Sequence, residues 1–315
     1  MIVTLTANPS LDRTVSLAAP LRTGEVQTAE AVREDAGGKG INVTRVLHGA
    51  GADSTAVLPL NSADPFGAVL RAAGVPFDPV PVTGAARANL TLADAEGVTT
   101  KINLPGVART AADGAALIDA VVTASAGARW LVLAGSLPPG LPDAFYVDVI
   151  EAVRAVPGAP RIAVDTSGAA LRAAVEGGRP DLIKPNDEEL TELAGVALPS
   201  GVPLAEAVTA VAAGLVPSRV GAAFVTLGGA GAVLVTADGA WHGTPPPTRV
   251  RSTVGAGDSS LAGFLLAETA GAEPEECVRS GIRYGSAAAA LPGTQAPTPA
   301  DLLPGDVPVR ALARR

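Results

Sequence analysis

A glycine-rich loop leads into a carboxylate and an apolar run in STVGAGDSSLAGF, residues 252–264. The apolar run predicts a helix over about 257–270, which places the loop at a helix N-terminus. Free backbone N–H groups and the positive end of the helix dipole favour anions there, and glycine permits close approach of a phosphate. We therefore predict a backbone anion hole formed by Gly255, Ala256 and Gly257.

Asp258 follows this loop in the first predicted helical turn. The helix dipole stabilises an ionised carboxylate at this position, so Asp258 can accept a proton from a nearby hydroxyl. Together with the neighbouring amides, this predicts phosphoryl transfer with Asp258 as the general base. The simpler alternative is a first-turn carboxylate that only stabilises its own helix.

A second glycine-rich loop, GGKGIN at 37–42, also opens a helical stretch. It is not a nucleotide-binding P-loop, because Lys39 is followed by Gly40 rather than Ser or Thr, and its spacing does not fit GxGxxG. A substrate site fits better: Gly38 allows close approach, Lys39 supplies a charge for phosphate, and Asn42 can donate to and accept from hydroxyls. A glycine turn with a solvated lysine is the alternative.

Two further motifs are suited to a nucleotide site. In KPNDEEL, residues 184–190, Asn186 and Glu189 lie three apart on one side of a helical turn, where they can hold water and Mg²⁺ beside a triphosphate. A helix capping box explains the same spacing. The glycines of TLGGAGA, residues 226–232, follow a predicted strand and suit either nucleotide contact or a hairpin turn.

Other catalytic chemistries lack their residues. The chain has two histidines, one cysteine and no HExxH, so neither a catalytic zinc site nor Cys/His catalysis is supported. The segment AGSLPPG does not fit GxSxG, because Ser136 directly follows Gly135.

Charge and composition restrict the partners. The net charge of −8 disfavours nucleic acid and anionic membrane surfaces. No apolar run approaches the roughly 18 to 20 residues of a membrane span, and the opening MIVTLTANPS lacks signal-peptide features, so we expect a cytoplasmic protein. Only three of 23 basic residues are lysine, and each lies in a motif-like segment: Lys39, Lys101 and Lys184.

The surrounding pattern predicts an α/β fold. Buried strands are predicted at 2–7, 130–135, 161–166, 181–186 and 222–228. Helical stretches separate most of them, several with Asp or Asn as the expected N-cap, at 40–51, 64–74, 112–127, 141–156 and 186–195. Strands alternating with helices indicate a parallel sheet covered on both faces.

Two segments interrupt this pattern. Residues 11–36 and 86–104 alternate as strands do, and the second contains a hairpin signal at Asp94, Ala95, Glu96 and Gly97. They predict a small second sheet that can act as a lid at the carboxyl edge of the main sheet. A surface hairpin without a site is the alternative.

The last third contains a predicted hairpin around Ala237, Asp238 and Gly239, then Ala-rich helices at 257–271 and 275–290. Its proline content predicts a loosely ordered tail over 297–315.

Taken in order, several motifs resemble the ribokinase-like sugar kinases of the phosphofructokinase-B type along essentially the whole chain: NPSLDRT, GGKGIN, TKINLPG, AGSLPPG, DTSG, KPNDEEL, TLGGAGA and STVGAGDS. The resemblance implies one domain over 1–315, a three-layer αβα unit with a doubly wound, mostly parallel sheet and a small β lid that often dimerises. It also implies ATP and Mg²⁺.

The resemblance assigns a role to each matching residue. Asp258 matches the catalytic base, and the family's anion hole matches Gly255, Ala256 and Gly257. Asn186 and Glu189 match the NxxE element that organises Mg²⁺ and water, with Glu189 acting on the ion through water. Nucleotide contacts match Thr226, Gly228, Gly231 and Gly257.

The acceptor side is implied in the same way. Positions that bind sugar hydroxyls match Asp12, Gly38 and Asn42. The environment of the substrate's phosphate matches Lys39, Arg87, Asn89, Lys101 and Ser136. The segment NLPG departs from the family's more usual residues before PG, which affects the expected phosphate contacts.

Lys39 and Lys101 favour a phosphorylated acceptor, because a neutral sugar has no anionic group for them to neutralise. The branch that phosphorylates fructose 1-phosphate to fructose 1,6-bisphosphate matches best. Kinases for tagatose 6-phosphate or fructose 6-phosphate are alternatives, and a noncatalytic sugar-phosphate sensor is the alternative from another class. The predicted partners are a sugar phosphate and a second copy of the chain bound through the lid.

Overall fold

The computed structural model describes residues 1–96 and 98–313. Within them the strands are β1 (Ile2–Leu5), β2 (Ser10–Leu17), β3 (Ala29–Gly37), β4 (Ser54–Leu60), β5 (Phe77–Pro81), β6 (Arg87–Ala93), β7 (Thr99–Asn103), β8 (Trp130–Ala134), β9 (Arg161–Asp165), β10 (Leu182–Ile183), β11 (Ala222–Thr226), β12 (Ala232–Val235), β13 (Ala240–Gly243) and β14 (Val309–Leu312).

The helices are α1 (Lys39–Gly49), α2 (Phe66–Ala72), α3 (Ala111–Ala124), α4 (Phe145–Arg154), α5 (Gly168–Ala173), α6 (Asp187–Ala194), α7 (Leu204–Ala213), α8 (Ala256–Thr269) and α9 (Pro274–Ala290). Helix α5 continues into a π-helical turn at Ala174–Gly178, and short 3₁₀ turns occupy Gly228–Ala230 and Pro299–Asp301.

The larger sheet has the strand order β14-β13-β12-β11-β10-β9-β8-β1-β4-β5. The seven strands from β11 to β5 are parallel, and β12, β13 and β14 extend the sheet by antiparallel pairing. Successive side chains of a strand point to opposite faces of the sheet, and helices cover both faces. In β8, Leu131 and Leu133 pack on the side of α3 and α4, and Val132 packs on the side of α1, α8 and α9.

The smaller sheet has the order β3-β2-β6-β7 and comes from the two segments that interrupt the α/β pattern. Pairing is antiparallel between β2 and β3 and between β6 and β7, and parallel between β2 and β6. The predicted turn residue Gly97 lies outside the described residues. The αβα fold class with a small second sheet is confirmed.

Two expectations about elements are wrong, and several elements were not expected. The tail is not loosely ordered throughout, because β14 pairs with β13 at the edge of the large sheet. Asp and Asn caps are rarer than expected: α1, α2, α3 and α4 begin after Gly38, Pro65, Thr110 and Ala144. Among the expected helices only α6, capped by Asn186, follows the rule. Strands β4 and β5 and helix α7 were not predicted.

This topology brings the functional motifs together. Parallel strands β1, β8, β9 and β10 end at the same sheet edge, where open α/β sheets bind ligands. Helix α1 begins after β3 at this edge, and Ile41 N donates to the Thr6 hydroxyl oxygen just beyond β1. None of the helices in the described part of the chain is long and apolar enough to cross a bilayer.

Candidate active site

The predicted anion hole is the N-terminus of α8. Gly255 is the N-cap residue and has a φ of 75°, a left-handed conformation that favours glycine. No side chain caps this end, so the amides of the first turn are not satisfied by the hydrogen bond that usually closes a helix start. The Ala256 amide already donates to the Thr253 carbonyl oxygen at 3.4 Å. An anion hole at this helix start stays a prediction.

Asp258 lies in the first turn of this helix and is 6% exposed. Asn42 Nδ2 donates a 2.8 Å hydrogen bond to Asp258 Oδ2. Burial, with a contribution from the negative charge of Asp165, raises the pKa of Asp258 to about 6, and Lys39 and Asn42 oppose that rise. The carboxylate is therefore mostly ionised at neutral pH and has a pKa suited to accepting a proton.

Lys39 lies at the start of α1, directly after Gly38. Gly38 has a φ of 126°, and a Cβ there would stand 2.7 Å from Thr6 Cγ2, so glycine is required. Lys39 Nζ donates a 2.8 Å bond to Asp165 Oδ1. Although burial opposes the charge, Asp165 and Asp258 raise the pKa of Lys39 above its usual range. Lys39 is thus held by an ion pair, and its side chain is 36% exposed.

Sequence analysis did not assign Asp165 and Lys184 to the site. Asp165 ends β9 and is fully buried, and Lys184 Nζ lies 3.2 Å from its Oδ2. A Cβ on Gly257 would stand 3.2 Å from Lys184 Nζ, so this ammonium borders the anion hole. Two signals pointed to them: the scarcity of lysine, and an aspartate at the carboxyl end of a predicted strand.

Polar side chains from the small sheet form the other side of the site. Asp12 on β2 is opposite Asn89 on β6, and Asn89 Nδ2 donates to Asp12 Oδ1 at 2.9 Å and to Ser10 Oγ at 3.0 Å. Burial raises the pKa of Asp12, and hydrogen bonds from Ser10 and Asn89 partly offset this. Ser10 and Asn89 therefore both donate to Asp12 Oδ1 and fix the orientation of this carboxylate.

Arg87 and Ser136, both predicted near the substrate's phosphate, are linked through Asn8, which sequence analysis missed. Arg87 Nε donates to the Asn8 carbonyl oxygen at 3.3 Å, and Asn8 Nδ2 donates to Ser136 Oγ at 3.4 Å. Lys101 is exposed on β7 opposite Thr91, on the face of the small sheet that carries Asp12 and Asn89. It forms no hydrogen bond or ion pair with the other predicted residues in the described structure.

A pocket of about 720 Å³ borders the predicted anion hole. The predicted nucleotide residues Thr226, Gly228 and Gly231 line it, as do Ala256 and Gly257 of the loop. Pro246, Val250, Ile282 and Ala289 form an apolar part of its wall. A flat aromatic base fits such a wall, and its phosphates would then extend toward the loop.

Asn186 lines this pocket and forms a capping box with Glu189. Asn186 Oδ1 accepts from Glu189 N at 2.7 Å, and Glu189 Oε2 accepts from Asn186 N at 2.9 Å. A parallel β-bridge between Asn186 and Thr226 joins the capping box to one of the predicted nucleotide contacts. The capping alternative is therefore present, and it leaves the second Glu189 oxygen free for a hydrated cation.

No group of three or more His, Cys, Asp or Glu with metal-binding geometry occurs in residues 1–96 and 98–313. A Mg²⁺ ion is usually held by one or two carboxylates, several waters and substrate phosphates. The second Glu189 oxygen would fit that mode through water, with waters and the phosphates of ATP as the ligands of the ion.

Comparison with known proteins identifies the chain's family. Residues 6–301 match the pfkB family of carbohydrate kinases. The chain belongs to this family. The resemblance seen in the sequence motifs is confirmed, and the chain is a pfkB carbohydrate kinase.

Several pfkB relatives match along nearly their whole length. A 1-phosphofructokinase of Rhodobacter capsulatus is 36% identical over 307 residues, which cover 95% of this chain and 93% of the relative. ATP-dependent 6-phosphofructokinase isozyme 2 of Escherichia coli is 34% identical over 297 residues, 93% and 94% of the two chains. The kinase class is shared, while the named acceptors differ.

Solved structures support the same fold. Phosphofructokinase-2 of Escherichia coli in complex with potassium superposes with a TM-score of 0.88 at 32% identity over 96% of both chains. That enzyme also has a tetrameric inhibited form. Ribokinase of Thermotoga maritima has a TM-score of 0.76 at 19% identity over 96% of this chain and 97% of its own, a likeness of fold alone.

Proposed function

We propose that this pfkB kinase transfers the γ-phosphoryl group of ATP to fructose 1-phosphate, forming fructose 1,6-bisphosphate and ADP. One observation carries the proposal: the buried carboxylate of Asp258 directly follows an uncapped glycine loop, between an elongated pocket and the polar cluster of the small sheet. A base and an anion hole at one point suit in-line phosphoryl transfer to a hydroxyl.

In the proposed reaction, Asp258 takes the proton of the acceptor hydroxyl as its oxygen approaches the γ-phosphorus. Amides of the Gly255–Gly257 loop stabilise the charge of the transferred group. Asn42 orients Asp258 through the hydrogen bond to its Oδ2. Asp12 and Asn89 orient other hydroxyls of the sugar, and closure of the small sheet as a lid excludes water that would otherwise hydrolyse ATP.

Asn186 and Glu189 would hold Mg²⁺ through water beside the triphosphate. The ion, when bound, supplies neutralisation of the β- and γ-phosphate charge. Thr226, Gly228 and Gly231 are the proposed nucleotide contacts because they line the pocket that leads to the loop.

A phosphorylated acceptor is supported by the basic groups on its side of the site. Lys39 is fixed beside Asp258, Arg87 lies at the end of the polar cluster, and Lys101 extends from the same sheet face. Kinases for fructose 6-phosphate or tagatose 6-phosphate use the same chemistry, and the relatives include 6-phosphofructokinases. Fructose 6-phosphate is therefore the second candidate acceptor. ATP and sugar phosphates are cytoplasmic metabolites, which fits the expected compartment.

We also propose that two copies of the chain associate through the small sheet. The face opposite Asp12 carries a row of apolar side chains across three strands, with Val32 paired with Val15 and Val15 with Leu92. Val32 is 57% exposed and Ile102 on β7 is 47% exposed. The Arg13–Glu34 ion pair lies next to these side chains on the same face. Exposed apolar side chains on a sheet are typical of an interaction surface, and a second copy would cover them symmetrically.

The test is an ADP-release assay with purified protein, Mg²⁺ and ATP. Fructose 1-phosphate, fructose 6-phosphate, tagatose 6-phosphate, fructose and ribose are compared at equal concentrations. We expect the highest kcat/KM for fructose 1-phosphate. A preference for fructose 6-phosphate selects the second candidate, a preference for a neutral sugar contradicts the phosphate site, and inactivity on every acceptor favours the noncatalytic sensor.

A further inference from the structure

His242 on β13 has no role in the proposed reaction so far, yet its side chain contacts a turn beside the nucleotide pocket. His242 Nε2 lies 2.9 Å from the carbonyl oxygen of Ala230, the last residue of the 3₁₀ turn Gly228–Ala230. Because a carbonyl oxygen can only accept a hydrogen bond, Nε2 must carry the proton and donate it. A side chain of β13 therefore holds the turn that follows β11.

This turn borders the proposed nucleotide site. Gly228 and Gly229 of the turn, with Gly231 directly after it, line the pocket of about 720 Å³. The turn is exposed over its whole length. Gly228 and Gly231 have φ values of 55° and 95°, conformations that glycine adopts readily but at a large cost in conformational entropy. A turn of this composition needs outside contacts to keep one conformation.

The outside contacts come from the end of β13. Within the turn, Leu227 N donates to the Gly231 carbonyl oxygen at 2.8 Å, but this bond only closes the turn on itself. A Cβ on Gly231 would collide with the carbonyl oxygen of Gly243, so the end of β13 packs directly against the turn. Of the side chains in residues 1–96 and 98–313, only that of His242 forms a hydrogen bond with the turn.

We propose that His242 is a positioning residue that holds the Gly228–Ala230 turn in the conformation that binds ATP. The proposal rests on the proposed kinase function and names a residue that acts on the affinity for the nucleotide through the turn. A turn already held in its bound conformation loses less conformational entropy when the ligand binds, so affinity rises without a new contact to the ligand. His242 should therefore affect ATP binding and leave the transfer step unchanged.

The competing explanation is a hydrogen bond that only stabilises the edge of the sheet. His242→Leu removes the donor, and His242→Gln supplies a new one, because the side-chain amide of glutamine can donate to the same carbonyl oxygen. We expect the Kd for ATP to rise about five- to tenfold in His242→Leu, as the loss of one hydrogen bond allows, and to stay within about twofold in His242→Gln. In both variants kcat with saturating substrates and the KM for the sugar phosphate should be unchanged.

The matched control is Thr236→Val, which removes one side-chain hydrogen bond from the turn at the opposite end of β12. Thr236 Oγ1 accepts from Asp238 N at 3.1 Å in the hairpin between β12 and β13. Each variant loses one hydrogen bond between a side chain and the backbone of a turn beside β12, but only the Gly228–Ala230 turn borders the pocket. The Kd for ATP should therefore stay within about twofold in Thr236→Val.

The measurement is a calorimetric titration of each protein with ATP and Mg²⁺ in the absence of an acceptor, with melting temperatures to show that every variant is folded. A Kd in His242→Leu within about twofold of that of the unsubstituted chain would overturn the proposal. Equal weakening in His242→Leu and His242→Gln, or in His242→Leu and Thr236→Val, would overturn it as well.

The titration also separates this proposal from the proposed function. If the unsubstituted chain binds ATP but phosphorylates none of the acceptors, the proposed reaction fails, while the comparison of Kd values still decides the role of His242. If the unsubstituted chain does not bind ATP, both proposals are rejected.

Discussion

Asp258 shows how two local influences compete on one carboxylate. Its place in the first turn of α8 favours ionisation, as the sequence suggests, but burial has the larger effect and raises its pKa to about 6. Sequence analysis identified the residue because its glycine loop is contiguous with it. It did not identify Asp165, because that role depends on Lys39, which lies 126 positions away in the chain.

The raised pKa of Asp258 predicts how turnover depends on pH. A base must be ionised to accept a proton, so kcat should fall below about pH 6. The pKa of Lys39 is raised, so Lys39 should stay protonated between pH 7 and 9. The measurement is kcat with both substrates saturating, because the sugar phosphate itself titrates near pH 6 and would distort kcat/KM. An unchanged kcat down to pH 5 would exclude Asp258 as the base.

The raised pKa of Asp258 also predicts that its ionised carboxylate lowers the free energy of unfolding. Its pKa is above the usual 3.8 in the folded state, so the folded state binds the proton more tightly. Stability is therefore lost progressively as the pH rises from 3.8 to about 6, and it stays lost at higher pH. The difference amounts to about 3 kcal/mol when both states are ionised. Asp258→Asn should therefore raise the melting temperature by a few degrees at pH 7.5.

The gain should shrink at pH 4.5, where the folded chain already carries the proton on Asp258. Melting curves at the two pH values, measured for Asp258→Asn and the unsubstituted chain, provide the comparison. Equal differences at both pH values would mean that burial of the charge is not the cause.

At the scale of elements, the candidate active site lies where the N-termini of α1 and α8 meet the carboxyl edge of the large sheet. Alternation of buried strands with helices was sufficient to predict the central strands and the helices α1, α8 and α9. The strands at the two edges of the large sheet were missed, since β5 contains Pro79 and Pro81 and β14 follows a proline-rich segment. Proline is read as a turn signal in sequence, but an edge strand tolerates it.

The start of α1 offers a test of how this helix is positioned. Gly38→Ala introduces a Cβ 2.7 Å from Thr6 Cγ2 at a φ of 126°, whereas Gly51→Ala, after the same helix, has a φ of 78° and no atom within 4 Å. The control should cost about 1 kcal/mol of unfolding free energy. Gly38→Ala should cost roughly 2 to 4 kcal/mol, because a clash is added to backbone strain.

Urea unfolding of both variants measures this difference. Equal losses would mean that the contact with Thr6 does not fix the helix start. A larger loss in Gly38→Ala accompanied by reduced turnover would link the geometry of α1 to the placement of Lys39 and Asn42.

At the scale of the whole molecule, the small sheet has two different faces. One carries Asp12, Asn89 and Lys101, and the other carries Val15, Val32 and their apolar neighbours. Period-two alternation in the sequence predicted these strands, but not their order, because the pairing of β2 with β6 joins segments more than 70 residues apart.

The apolar face predicts association of two copies. Ile102→Asp places a charge on the exposed face, and Val196→Asp, a residue 51% exposed in the segment after α6, is the matched control. Light scattering should give a dimer for the unsubstituted chain and the control, and a monomer for Ile102→Asp. A dimer in all three would place the interface elsewhere.

The most direct test of the proposed chemistry is turnover by Asp258→Asn with the best acceptor of the panel, measured together with the Kd for ATP. Asparagine keeps the shape of the side chain and can still accept a hydrogen bond from Asn42, but it cannot take a proton. If Asp258 is the base, kcat falls by roughly 100-fold or more while the Kd for ATP stays within about threefold. Near-normal kcat would contradict that role.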